Sequence, residues 1–209
     1  MASDKDSFRP RVALVTGAAG KIGRAVVKRL VSAGWRVAGI DRKANHAELS
    51  IQADAVDRTA VLDAVAAVAQ RWGMIELLVT AAADYRQDKI GEMSLPRWQR
   101  MLGIWLGGTA NACAAVLPKM VEAGRGCIVV LAADVSAGGQ GQTYIAAASG
   151  TLAAFVKSLG SEVAAGGVCV NCLAVKPSVN PDWVAETICF LADEGRYYAG
   201  QVLFPGSNF

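Results

Sequence analysis

The stretch RVALVTGAAGKIGRAVV, residues 11–27, constrains the fold more than any other part of the chain. An apolar run of strand length ends in a glycine-rich turn. The residues that follow place Ile22, Val26, Val27, Leu30 and Val31 on one helical face, until Gly34 stops the pattern. Strand, turn and helix then repeat to the end of the chain. Further strands are predicted at 36–41, 49–53, 75–80, 126–133, 167–174 and 200–204, and further helices at 58–72, 95–123, 145–164 and 181–193. Val61, Leu62, Val65, Val68, Ala69 and Trp72 give residues 58–72 their helical spacing. Ser94 is placed to cap the long helix, which turns Trp98, Met101, Leu102, Trp105 and Leu106 inward. This alternation predicts an α/β fold: a doubly wound parallel sheet of about seven strands with helices on both faces. No linker or repeat divides it, so one domain is expected over residues 1–209.

A glycine turn between a strand and a helix has a specific use. Gly17 permits the tight turn, Gly20 lets a pyrophosphate approach the backbone, and Gly23 lets helix and strand pack closely. The helix start at Lys21 and Ile22 offers free N–H groups and a partial positive charge to the phosphates. Asp41 closes the second strand, where its carboxylate can accept hydrogen bonds from an adenosine ribose and would repel a 2′-phosphate. NAD is therefore expected over NADP, although Arg42 and Lys43 weaken that preference. The bland alternative is a turn retained for packing, with no cofactor bound.

Composition narrows the remaining classes. Hydrophobic residues make up 53% and charged residues 19% of the 209, as in a packed domain. The net charge of +3 is small, and RKANH after Asp41 is the densest basic patch, so no nucleic-acid partner is expected. Apolar runs break well before 18 residues, so no membrane span is expected. The polar start MASDKDSFRP does not read as a signal peptide, and five cysteines lie in apolar segments. Both features lead to the expectation of a reduced, cytoplasmic protein. Cys169 and Cys172 have CxxC spacing but fall in a predicted strand without a second Cys or His pair. Burial is expected there, and no metal site.

The glycine motif, Asp41, ADAVD (53–57), LLVTAAA (77–83), WQRMLGIWLGGT (98–109) and VLPKMVEAGRGCIVVLAA (116–133) occur in this order over nearly the whole chain. Together they resemble the short-chain dehydrogenase/reductase family. That resemblance implies a Rossmann-type fold, with Asp54 and Ala55 bordering the adenine and Ala81, Ala82 and Ala83 bordering the ribose and nicotinamide. The loop form TGxxGxxG resembles the extended branch of the family, with Lys21 where shorter members usually carry glycine.

The same resemblance implies where catalysis should sit: a Tyr that moves the substrate proton, a Lys four residues on, a Ser and an Asn. The gapless match places Trp105 at the Asn position and Ala133 at the Ser position, and neither can substitute. Tyr144 is followed four residues on by Ala148. Counting back from FVKSL (155–159) instead puts Ile145 at the Tyr position and Ser149 at the Lys position. Ile145, Ala148, Leu152, Phe155 and Leu159 make one apolar stripe, so Ile145 is expected to face the sheet and Tyr144, turned by about 100°, to look elsewhere. In the first register a lone Tyr144 survives as a weak catalytic candidate; in the second all four positions are lost. Val175 and Lys176 stand where relatives carry Pro-Gly, and the substrate-covering insert is reduced to PSVNPD (177–182). His46, the single histidine, and the carboxylates Asp84 and Asp134 read as solvated loop residues.

Three functions follow as expectations. The first is a non-catalytic subunit, homo- or hetero-oligomeric with another family member through helices 95–123 and 145–164. The second is an NADH-dependent reductase of an activated carbonyl or quinonoid acceptor, similar in kind to dihydropteridine reductase. The third is a dinucleotide sensor.

Overall fold

The computed structural model describes residues 9–135, 138–195 and 198–205, so most of the polar N-terminal segment lies outside the described residues. The strands are β1 (Val12–Thr16), β2 (Arg36–Asp41), β3 (Leu49–Gln52), β4 (Leu77–Thr80), β5 (Gly126–Ala133), β6 (Val168–Val175) and β7 (Val202–Leu203). They form one sheet in the order β3-β2-β1-β4-β5-β6-β7 with every pairing parallel. Helices α1 (Lys21–Ser32) and α6 (Pro181–Glu194) cover one face. Helices α2 (Arg58–Trp72), α3 (Leu95–Leu102), α4 (Gly108–Glu122) and α5 (Thr143–Val163) cover the other. This is a Rossmann-type α/β fold.

Covering both faces explains the composition of the strands. Val12 and Leu14 of β1 enter the core beneath α2 and α4, while Ala13 and Val15 enter the core beneath α1 and α6. A strand that must be apolar on both sides reads as a continuous hydrophobic run. The CxxC pair obeys the same parity: Cys169 and Cys172 lie on opposite faces of β6, in different cores. All five cysteines are buried thiols.

Several boundaries and contacts differ from expectation. Val31 and Leu62 are exposed, because each sits about 100° beyond a buried neighbour, Leu30 and Val61, at the edge of its helical stripe. Ser94 occupies the N-cap of α3, but its side chain makes no capping hydrogen bond. Helix α5 starts at Thr143, before the expected 145, and Val156 rather than Phe155 is fully buried in its apolar stripe. The last strand shrinks to Val202–Leu203, at the sheet edge.

The predicted long helix is continuous from Leu95 to Glu122, with a π-helical turn at Gly103–Gly107 between α3 and α4. By length and composition alone it is long and apolar enough to cross a membrane, against the expectation drawn from unbroken apolar runs. Its Met101, Trp105, Ala112, Val116 and Met120 are packed into the core.

The sheet order reverses between β1 and β4. From β1 the chain winds out to β2 and β3, and from β4 it winds the other way. The C-terminal ends of these two neighbours therefore part and leave a crevice, the usual ligand position in such sheets.

Candidate functional site

The loop after β1 is built by three glycines with separate steric duties. Gly17 has φ of +68°, and a Cβ there would stand 2.5 Å from Ala82 N and 2.6 Å from Ala81 O. It marks where the exits of β1 and β4 touch. A Cβ on Gly23 would overlap Gly17 O and lie 2.9 Å from Ala18 Cα, so glycine is what lets α1 seat against the turn. At Gly20 a Cβ would meet only Gly17 O, at 3.1 Å, leaving its outer side open. Gly20 is also the N-cap of α1 and brings no side chain to cap it. The positive end of the helix therefore faces the crevice mouth.

Asp41 fastens this loop to β2. Its Oδ2 accepts from Ala19 N at 3.0 Å and its Oδ1 from Lys43 N at 3.0 Å. Each oxygen keeps a further lone pair able to accept another hydrogen bond. Gly17, Gly20, Asp41, Arg42, Asp54 and Ala55 line a cavity of about 120 Å³, together with Ala81, Ala82 and Ala83. Ile104, from the π-helical turn, closes it and was missed by sequence reasoning. Asn111 was also missed: from α4 it donates to Ala55 O at 3.1 Å and Val56 O at 3.0 Å, fixing the wall that carries Asp54. A polar residue amid GTANACAAV was the signal for it.

A second cavity of about 340 Å³ lies on the other side of the loop and shares Gly20, Ala81 and Ala83 with the first. Lys21, Ile22 and Gly23 line it on one side, Leu131, Val175 and Val179 on the other. Tyr85 completes its wall.

None of the catalytic candidates is in the lining of this second cavity. Tyr144 Oη donates to Ile90 O at 2.6 Å, and its ring lies 5.0 Å from that of Trp98. Ile145, the next residue, is fully buried against the sheet. Ser149 is buried, and its Oγ accepts from Ala133 N at 3.1 Å. Trp105 is buried in the π-helical turn and donates Nε1–H to Asp84 O at 3.2 Å. A turn of this kind lets one residue project out of helical register, and such turns often occur at functional sites. Asp84 pairs with Arg86 at 3.2 Å, and His46 is exposed on its loop. Among the described residues, no three His, Cys, Asp or Glu side chains converge to hold a metal.

The thiols show the same separation from chemistry. Burial pushes Cys113 and Cys172 up to about 12, leaving them as packing groups. Burial, with the charge of Asp134, also raises the Tyr85 phenol above its usual range.

Comparison with known proteins places residues 11–181 under the family model described as short chain dehydrogenase. D-threitol dehydrogenase of Mycolicibacterium smegmatis is 36% identical, over 81% of this chain and 70% of its own length. The short-chain reductase protein NovJ of Streptomyces niveus is 32% identical, over 78% of this chain and 67% of its own. A third relative, (2S)-[(R)-hydroxy(phenyl)methyl]succinyl-CoA dehydrogenase subunit BbsD of Thauera aromatica, is 28% identical over 93% of this chain and 94% of its own length.

Proposed function

The chain belongs to the short-chain dehydrogenase family, and from that premise we propose that it is a dinucleotide-binding subunit which has given up the family's proton-transfer chemistry and works beside a catalytic relative. The observation that carries this reading is where the hydroxyls are committed. Tyr144 donates to Ile90 O, outside both cavities, and Ser149 accepts the N–H of Ala133. Ile145 and Ser149 are assigned to the Tyr and Lys positions, and Ala133 and Trp105 to the Ser and Asn positions. A positioned acid or base contributes roughly 10²–10⁴ in rate and an oxygen-binding donor roughly 10²–10³, and the two are not additive. A chain without them would leave ordinary ketone–alcohol interconversion very slow.

The cofactor half of the crevice supports retained binding. Gly20 leaves an open approach for a pyrophosphate, the N-terminus of α1 faces it, and Asp41 suits the ribose of NAD better than that of NADP. A bound dinucleotide would supply or accept hydride; the chain's own groups would hold its phosphates and ribose. For the partner role, the outer face of α5 presents Ala147, Gly150 and Ala154, all exposed, small enough for another helix to approach closely. The Thauera aromatica relative is itself named a dehydrogenase subunit.

The test has two arms. NADH should bind in a calorimetric titration, while no NADH oxidation appears with a panel of ketones and quinones. Native mass spectrometry should then find a mixed oligomer when the chain is co-expressed with a full-length family member. Turnover by the isolated chain would overturn the reading, and so would an exclusively homomeric state. A second reading, reduction of an activated acceptor, is favoured by one observation, the Tyr85 phenol in the second cavity.

A further inference from the structure

The CxxC spacing joins Cys169 to Cys172 in the sequence, but the sheet gives Cys169 another companion. Strands β5 and β6 pair in parallel with Cys127 in register beside Cys169. Side chains alternate between faces along a strand, so Cys172 enters one core while Cys127 and Cys169 share the other. Each of the two is the second residue of its strand. In a parallel sheet that places them at the opposite end from the glycine loop, which follows the last residue of β1.

The two side chains are in hydrogen-bond contact with each other. A Cβ on Gly195 would stand 3.3 Å from Cys169 Sγ and 3.7 Å from Cys127 Sγ. Both sulfurs therefore face one small volume, and Gly195 puts no side chain over it. Cys127 and Cys169 keep 5% and 7% of their surface exposed, and both line a cavity of about 180 Å³.

Spacing selects what such a pair can hold. Neighbouring strands run about 4.8 Å apart, whereas a disulfide draws its two Cβ atoms to about 3.8 Å, which an intact sheet resists. Two metal–thiolate bonds of about 2.3 Å each, laid end to end, span about 4.6 Å and fit the spacing as it stands. The charged groups of the lining are already paired, Arg11 with Asp193 at 2.7 Å and Arg125 with Glu76 at 3.7 Å. Among the described residues no third His, Cys, Asp or Glu joins the two sulfurs. Two thiolates alone suit a soft ion of low coordination number, not zinc, which takes four ligands. We propose that Cys127 and Cys169 form a two-coordinate site for one soft monovalent cation of the copper(I) type. As the ion enters, each thiol releases its proton to water and one metal–sulfur bond forms to each sulfur. The complex carries a single negative charge, and no electron is transferred.

Copper(I), offered to the intact, reduced chain as its bicinchoninate complex, tests the site. The wild-type chain should withdraw a single equivalent, and copper X-ray absorption should find two sulfur neighbours with no nitrogen or oxygen. Cys127→Ser and Cys169→Ser should each lose that equivalent, while Cys172→Ala, changed on the opposite face of β6, keeps it. Alkylation of the wild-type chain, mapped by peptide mass spectrometry, needs no variant to fold: copper should protect Cys127 and Cys169 and leave Cys172 unaffected. The proposal is overturned if the wild-type chain leaves the copper with the chelator, or if a nitrogen or oxygen ligand is found. It is equally overturned if either serine variant keeps the equivalent, or if copper protects other cysteines in place of these two.

Discussion

The two halves of the crevice are made of different materials. On the Asp41 side the lining is mostly backbone: three glycines and an uncapped helix start, with one carboxylate that ties the loop to β2. On the Tyr85 side, any chemistry has to come from side chains, and the hydroxyls of Tyr144 and Ser149 are bonded elsewhere. The difference teaches that one half can persist while the other changes. The glycine loop cannot drift without moving α1 off the sheet, so it is held by the fold as well as by any ligand. A catalytic side chain has no such second duty, and its loss leaves the sheet standing.

That contrast is broken most severely at Gly23. A methyl group there would overlap Gly17 O, backbone that cannot rotate away. Gly23→Ala should therefore displace α1 and cost about 3 kcal/mol, read from urea denaturation, with NADH binding lost as well. A variant of unchanged stability would show the turn to be more pliant than the packing implies. Next in size is Ser149→Ala. Removing Oγ strands the buried N–H of Ala133 without its partner, at a cost of about 2 kcal/mol. A calorimetric titration should find NADH affinity unchanged. That combination would mark Ser149 as structural, a serine filling the space at the position assigned to the family's Lys.

Asp41→Ala tests the other side. The loop loses the bond from Ala19 N, and a ribose loses its acceptor. NADH affinity should fall about tenfold, or about 1.4 kcal/mol, while NADPH affinity falls less because a repulsive charge has gone. Calorimetric titration of both nucleotides measures this. A larger loss for NADPH than for NADH would contradict the role given to the carboxylate.

The same division decides what the sequence could reveal. Strand–turn–helix periodicity and the glycine spacing carry the fold, because burial on both faces of the sheet leaves long apolar runs and steric limits leave glycines. That Asp41, Asp54 and Ala55 share one cavity lining follows the family resemblance, which had placed them together. Tyr85 was not legible, since nothing local says that a tyrosine in a polar segment will be backed by an indole 20 residues later in the chain. Ile104 was hidden by the π-helical turn, which breaks the 3.6-residue phase that pattern reading assumes. The helix phase at Tyr144 was legible, because the apolar stripe through Ile145, Ala148 and Leu152 sets which face meets the sheet.

The smallest expected effect falls on Tyr144, the residue that family resemblance makes most conspicuous. Its hydroxyl holds Ile90 O at 2.6 Å, and that segment is fastened independently by Arg97 with Asp88 at 3.0 Å and by Asp88 N with Gly141 O at 3.1 Å. Tyr144→Phe keeps the ring against Trp98 and removes one partly exposed hydrogen bond, which should cost about 0.5–1 kcal/mol. NADH affinity, read by calorimetric titration, should not change. If Tyr144→Phe instead lowered NADH affinity tenfold or more, the Tyr144 hydroxyl would have to swing from Ile90 into the crevice on binding. The half that we propose has given up proton transfer would then hold a group that moves into place.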